Sequence, residues 1–249
     1  MKILVSDPIS ESGLKIISGY GFEIIYLPNA TELEKKKASV NVNGWIIRSG
    51  TKINSESFSI TKSLQVIGRA GVGVDNIDIQ ESTRRGVVVL NTPDSNTISA
   101  AEHTIGLILT ISRNIHLGHM SLANNIWNRH ELIGCEIRNK TVGIVGLGKI
   151  GKEVISRCLG FEMKVLGYDP FVNQEMFDKE KTLITDLNTL VEESDYISIH
   201  VPLNKETKNL FNYDLLTKMK NSAFLINVAR GGIINEVDLS KVLNEGKIS

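Results

Sequence analysis

The chain has 249 residues, of which 28 are basic and 28 acidic, so its formal net charge is zero. This balance gives no reason to propose nucleic acid or an anionic membrane as a partner. The hydrophobic fraction of 41% is ordinary for a soluble globular protein, and no apolar stretch approaches the roughly 18 residues that a membrane span needs.

The first residues, MKILVSDPIS, form a strand-like run before an Asp-Pro turn and do not have the pattern of a signal peptide. Cys135 and Cys158 form no CxxC pair, which favours two reduced thiols in a cytoplasmic protein. His116 and His119, three residues apart on a predicted helix, are better explained as a solvated or core-edge pair than as metal ligands. We therefore expect no metal site.

Short apolar strands alternate with helical patterns along the whole chain, which predicts parallel sheets with helices on both faces. The first predicted strands are KILVS, FEIIYL, GWIIRSG, LQVIGRAG and VVVLNTP. The helices predicted between them are ESGLKIISGYG, TELEKKKASV and IDIQESTRRG.

The segment from Ser99 to about Ala123 changes character, because apolar residues recur there at helical spacing without a proline. This pattern predicts one long helix, and we place a domain boundary just before it, giving domains 1–96 and 97–249. The predicted strands that follow are TVGIVGLG, MKVLGYDP, YISIHVPL and SAFLINVARGG. The helices predicted with them are KIGKEVISRCLG, DLNTLVEESD, NYDLLTKMK and NEVDLSKVLNEG.

The strongest chemical signal is a GxGxxG motif formed by Gly146, Gly148 and Gly151. An apolar strand precedes the motif, a helix follows it, and the next strand ends in Asp169, 18 residues beyond Gly151. This is the context of a dinucleotide-binding loop, in which the phosphates lie at the helix N-terminus. A carboxylate at Asp169 would bind the adenine ribose hydroxyls and repel a 2′-phosphate, so NAD is favoured over NADP.

Several motifs together resemble one family. RAGVGVDNID, NTPDSNTISAAEHT, VGLGKIG, YDP, HVPL and NVARGG occur in the order and spacing of the D-2-hydroxyacid dehydrogenases. With IIRSGTK included, the chain is most similar to the branch of that family that oxidises D-3-phosphoglycerate to 3-phosphohydroxypyruvate, the first step of serine biosynthesis. The resemblance implies two doubly wound α/β domains, a flavodoxin-like substrate domain and a Rossmann NAD-binding domain.

The resemblance also assigns roles to single residues. Arg230, in NVARGG, would hold the substrate carboxylate and reacting oxygen, as its planar guanidinium suits. Arg48 is a candidate for a substrate phosphate, Asn96 would orient the substrate, and Arg113 would reach the site of a neighbouring subunit. Further substrate-binding positions are Arg69, Gly71, Val72 and Gly73; further cofactor-lining positions are Lys149, Ile150, His200, Val201, Pro202, Val228 and Ala229. Val72 and Val201 stand where relatives often carry threonine.

The family uses a histidine paired with a glutamate as its acid–base, located after the helix that follows ARGG. All five histidines of this chain precede Arg230, so we expect the sequence to be part of a longer enzyme and inactive by itself. Three alternatives remain: a reductase of the glyoxylate or hydroxypyruvate type, a non-enzymatic NAD-sensing scaffold, and a folding-defective fragment with no activity. The long helix predicts a homodimer or homotetramer formed through residues 99–135, because one domain cannot bury its apolar surface.

Overall fold

The computed structural model describes all 249 residues and divides into two units, Met1–Asn96 and Thr97–Ser249. Each unit contains one five-stranded parallel sheet. No helix combines the length and the apolar character that crossing a membrane requires.

The first unit has the strand order β2-β1-β3-β4-β5, which is the flavodoxin-like doubly wound arrangement. Its strands are β1 (Lys2–Val5), β2 (Glu23–Tyr26), β3 (Gly44–Ile47), β4 (Val66–Arg69) and β5 (Val88–Asn91). Its helices are α1 (Glu11–Gly19), α2 (Glu32–Ser39), α3 (Ser55–Ile60) and α4 (Ile79–Arg84). The core includes Leu4, Ile47 and Ile67 from the three central strands and Phe58 from α3, all fully buried.

The second unit has the strand order β10-β9-β6-β7-β8, which is the order of a Rossmann domain, with β6 as its first strand. Its strands are β6 (Thr141–Val145), β7 (Lys164–Tyr168), β8 (Thr182–Ile184), β9 (Tyr196–Ile199) and β10 (Phe224–Asn227). Its helices are α5 (Thr97–Ser112), α6 (Ile115–Ala123), α7 (Lys149–Gly160), α8 (Leu187–Glu193), α9 (Tyr213–Leu216) and α10 (Glu236–Asn244). The predicted fold class, two doubly wound parallel-sheet domains, is confirmed.

The prediction of one long helix from Ser99 to Ala123 is wrong, because the segment breaks between α5 and α6. Asn114 adopts a left-handed backbone conformation with φ of 53°. The carbonyl of Ser112, which a continuous helix would bond to a residue four positions on, instead accepts a hydrogen bond of 2.8 Å from the backbone N–H of Cys135. Gly134 permits this docking, since a Cβ there would lie 2.2 Å from the Ser112 carbonyl oxygen.

Two strand glycines, Gly143 in β6 and Gly68 in β4, differ in how much room their neighbours leave for a side chain. A Cβ on Gly143 would lie 2.4 Å from Leu190 Cδ2 and Ser194 Oγ, whereas a Cβ on Gly68 in β4 would meet nothing closer than 3.6 Å. Overpacking a core typically costs about 1–3 kcal/mol. We therefore expect Gly143→Ala to lower the free energy of unfolding by that amount in urea denaturation followed by circular dichroism.

The control is Gly68→Ala, which also alters a glycine in the interior of a five-stranded sheet. Its effect should stay below about 1 kcal/mol, since an ordinary van der Waals contact is added. Equal losses in the two variants would contradict the packing described for β6.

Candidate functional site

In the second unit, the polar and glycine-rich segments follow strands of one parallel sheet. Gly146 follows β6, Asp169 follows β7, His200 follows β9, and Val228 follows β10. Parallel strands place their carboxyl ends at one edge of the sheet, and this edge is where open α/β folds bind ligands. The structure therefore brings these segments to a common edge.

The glycine loop is shaped by two close backbone approaches. Gly146 has φ of 99°, and a Cβ there would lie 2.7 Å from the carbonyl of His200. A Cβ on Gly151 would lie 2.1 Å from the carbonyl oxygen of Gly146. Only glycine fits either position, so α7 starts directly against the end of β6.

The N-terminus of α7 is open, in contrast to those of the helices that follow it. Gly148 is the residue before the helix and supplies no side-chain cap, whereas Asp186 caps α8 and Asn235 caps α10. A Cβ on Gly148 would meet no atom within 4 Å. The amides of the first turn, which includes Lys149 and Ile150, therefore face space that a phosphate group fits, at the positive end of the helix dipole.

Asp169 is tied to the glycine loop. Its Oδ2 accepts a hydrogen bond of 2.9 Å from the N–H of Leu147, and its Oδ1 accepts one of 3.0 Å from the N–H of Phe171. Each carboxylate oxygen retains a second acceptor position for a ribose hydroxyl. The sequence predicts the ribose role of this residue but gives no signal for its bond to Leu147.

His200 lies beside the loop and is held in a neutral form. Its Nε2 lies 2.8 Å from the hydroxyl of Ser198, which is fully buried. Burial lowers the pKa of His200 to about 4, because the protein interior disfavours the charged imidazolium. Val201 follows, and its Cγ1 would lie 2.9 Å from a Cβ on Gly146, so this side chain shapes the glycine loop by packing. Pro202 is the next residue and is exposed.

The turn that carries Arg230 is fixed by a side chain that sequence reasoning missed. Asn227 Oδ1 accepts a hydrogen bond of 3.0 Å from the N–H of Ala229, and its Nδ2 donates one of 2.8 Å to the carbonyl of Arg230. The available signal was an asparagine at a strand end, where its amide commonly organises a turn. Arg230 is half-buried, and Val228 and Ala229 beside it are also partly exposed at this edge.

In the first unit, the predicted substrate residues also follow neighbouring strands. Arg48 comes directly after β3, and Arg69 ends β4, with Gly71–Gly73 beyond it. Gly71 has φ of 152°, and a Cβ there would lie 1.7 Å from Nη1 of the buried Arg69, so the guanidinium crosses directly over this glycine. Asn91 at the end of β5 donates a hydrogen bond of 2.7 Å to the carbonyl of Val72 and fixes the loop.

Two predicted substrate residues are not grouped with these strand ends. Asn96 is exposed and is the last residue of the first unit. Arg113 lies past the end of α5 and lines a cavity of about 300 Å³ together with Arg138 and Phe161, which precede β6 and β7. That position is the amino edge of the second sheet, opposite the glycine loop. A role for Arg113 in a neighbouring subunit stays a prediction.

Comparison with known proteins identifies the class. Residues 105–249 match the profile of the D-isomer-specific 2-hydroxyacid dehydrogenase family, in its NAD-binding domain. The chain belongs to this family, and its second unit, with the open glycine loop and Asp169, is the domain that binds NAD.

Individual relatives extend the likeness to the whole chain. The D-3-phosphoglycerate dehydrogenase of Archaeoglobus fulgidus is 41% identical over all 249 residues, which cover 47% of that protein. The chain thus spans about half the length of the curated relatives it matches. Two solved structures are similar over the full chain: the NAD-dependent formate dehydrogenase of Staphylococcus aureus in complex with NAD (TM-score 0.89, 30% identity, 79% of that chain covered) and the D-lactate dehydrogenase of Aquifex aeolicus with NAD and lactic acid (0.87, 28%, 74%).

The open space at Gly148 generates a test of cofactor binding that is separate from folding. An alanine there meets no protein atom, and the backbone φ of −71° suits any residue. We expect Gly148→Ala to leave the unfolding midpoint unchanged and to weaken NADH binding at least tenfold, because the methyl group occupies the approach of the pyrophosphate to the backbone. Fluorescence titration of NADH measures the change.

The matched control is Gly160→Ala at the other end of the same helix, where a Cβ also meets no atom within 4 Å. This variant should bind NADH like the parent chain. Unchanged NADH affinity in Gly148→Ala would mean that the phosphates do not approach this loop.

Proposed function

We propose that the chain provides the NAD-binding and substrate-binding parts of a dehydrogenase that oxidises D-3-phosphoglycerate to 3-phosphohydroxypyruvate. The observation that carries this proposal is the Arg230 turn, which Asn227 fixes at the same sheet edge as the open glycine loop. NAD, when bound, accepts the hydride from the carbon that bears the hydroxyl. Arg230 offers a planar pair of N–H donors that holds the carboxylate of a 2-hydroxy acid beside that reaction.

The hydroxyl proton must leave to a base during oxidation, and His200 is poorly suited to accept it. A general base works best with a pKa near the operating pH, whereas that of His200 is about 4 and its Nε2 is engaged by Ser198. We therefore propose that the 249 residues bind both ligands but oxidise the substrate about 10²–10⁴-fold more slowly than a dehydrogenase that has a general base.

A cation on the first unit supports a phosphorylated substrate. The exposed Arg48 forms no ion pair within the chain, and its guanidinium donates one long hydrogen bond, 3.5 Å, to the carbonyl of Pro8. A cation in this state at a ligand-binding sheet edge supports a substrate with a second anionic group, here the phosphate. The 41% identity to a D-3-phosphoglycerate dehydrogenase supports the same assignment over glyoxylate or hydroxypyruvate.

Binding measurements on the chain test this proposal. With NADH present, calorimetry should show 3-phosphoglycerate binding, and Arg230→Ala should weaken it roughly 10- to 100-fold, because a charge-assisted hydrogen-bonded pair contributes about 1.5–3 kcal/mol. NADH affinity should be retained. The control is Arg138→Ala, which removes an exposed arginine paired with Glu162 at the opposite sheet edge. Undiminished binding in Arg230→Ala would refute the assignment.

We also propose that the chain forms a homodimer or homotetramer through residues 99–135. Apolar side chains are exposed along α6 and the segment after it: Ile115 53%, Met120 58%, Ile126 55%, Trp127 77% and Ile133 80%. Such a patch on a single protein marks an interaction site.

Sedimentation tests the assembly. The parent chain should sediment as a dimer or tetramer at micromolar concentration, and Trp127→Glu combined with Ile133→Glu should give a monomer, because two charges cannot be buried unpaired. Ile16→Glu in α1, also at an exposed apolar position (63%), should leave the assembly intact. A monomeric parent chain would overturn this proposal.

A further inference from the structure

The turn that carries Arg48, residues 48–51, is held from both sides by side chains from two other loops. Its backbone N–H groups are bound by Asp7, which follows β1, and its carbonyls are bound by Asn76, which follows the glycine loop after β4. Neither residue belongs to the set that sequence motifs assign to ligand binding.

Asp7 is a buried carboxylate, 4% exposed, that is used entirely on this turn. Its Oδ2 accepts hydrogen bonds of 2.5 Å from the N–H of Arg48 and 3.1 Å from the N–H of Thr51. Its Oδ1 accepts one of 3.0 Å from the Thr51 hydroxyl, and a Cβ on Gly50 would lie 2.8 Å from the same oxygen. The turn is therefore wrapped tightly around one side chain.

The hydroxyl of Thr51 links Asp7 to a buried hydrogen-bond network with defined donors and acceptors. Its single hydrogen is donated to Asp7, so it accepts from Ser6 Oγ at 2.9 Å and from Lys35 Nζ at 3.2 Å. Ser6 in turn accepts from Trp45 Nε1 at 2.8 Å. The hydroxyl and indole donors of this buried network point towards Asp7, which satisfies the buried carboxylate. The Lys35 ammonium, which also pairs with Glu32 at 3.2 Å, donates to the far side of the Thr51 hydroxyl.

Asn76 binds the other side of the Arg48 turn, through its carbonyl groups. Its Nδ2 donates hydrogen bonds of 2.7 Å to the carbonyl of Arg48 and 2.6 Å to that of Thr51. Its own carbonyl accepts one of 2.9 Å from Ile53, and Ile53 bridges to Ile77. The Arg48 turn and the chain that emerges from the glycine loop are thus fastened together.

The result is an arginine with a fixed backbone and an exposed guanidinium. We propose that Asp7 and Asn76 are positioning residues that set the distance between the Arg48 guanidinium and the amides of Gly71–Gly73. A fixed distance between two anion-binding groups selects an acid whose carboxylate and phosphate are separated by a matching length. The inference rests on the proposed function, because it concerns how the phosphorylated substrate is chosen.

The test compares two ligands that differ only in the phosphate, 3-phosphoglycerate and D-glycerate, on the 249-residue chain with NADH bound. The readout is the ratio of their dissociation constants. Asp7→Ala and Asn76→Ala should each reduce the preference for 3-phosphoglycerate roughly tenfold or more, towards that of Arg48→Ala. D-Glycerate affinity and NADH affinity should change less than about twofold, which a general loss of folding would not allow.

Two further variants separate positioning from stability. Asn43→Ala removes an asparagine that also ties two segments, by bonds to Lys2 N–H and the Ser63 carbonyl, but at the amino edge of the same sheet; its ligand preference should be unchanged. Asp7→Asn keeps an oxygen that accepts both backbone N–H groups and should restore most of the preference lost in Asp7→Ala.

The outcomes are distinguishable. Retention of the full preference in both Asp7→Ala and Asn76→Ala, with Arg48→Ala impaired, would overturn this inference and leave the proposed function standing. Equal binding of the two ligands by the parent chain would overturn both together. Loss of preference in Asn43→Ala to the same extent would show that the effect is one of stability and would also overturn the inference.

Discussion

The contact between Gly151 and the carbonyl of Gly146 is the constraint on which the second unit depends. A side chain would lie 2.1 Å from that oxygen, so the first turn of α7 can approach β6 only because Gly151 has none. The approach aims the uncapped N-terminus of the helix along the carboxyl edge of the sheet. The same loop carries the Leu147 N–H that binds Asp169, and Gly146, against which Val201 packs.

A second rule recurs around both sheets: short amide and carboxylate side chains hold the loops that carry ligand-binding groups. Asn227 holds the Arg230 turn, Asn91 holds the glycine-rich loop, and Asp7 with Asn76 holds the Arg48 turn. Asn227 and Asn91 end their strands, Asp7 follows β1, and Asn76 follows the glycine-rich loop. All four side chains have few rotatable bonds, so little entropy is lost when they bind the backbone. These bonds order the loops in advance, and a pre-ordered site loses less entropy on binding its ligand.

The sequence predicts the strand alternation and the glycine motif well, because both depend on local patterns. Helix α7 occupies the predicted residues Lys149–Gly160. The long helix was wrong, because the break at Asn114 depends on a contact with Gly134 and Cys135 that no local pattern contains. Helix α3 and strand β8 are too short to show a period, and the bonds of Asp7 and Asn76 to the Arg48 turn join residues at least 25 positions apart.

The bond between Asp169 and Leu147 has a consequence for how cofactor choice can change among related chains. The carboxylate that the sequence predicts to bind the ribose also accepts the N–H of a loop residue, so the predicted recognition and the loop geometry share one side chain. A substitution that admits a 2′-phosphate also leaves a backbone donor without its acceptor, which costs about 1–3 kcal/mol when buried. If Asp169 selects NAD as predicted, a change of dinucleotide would therefore require a second substitution that satisfies the N–H of Leu147.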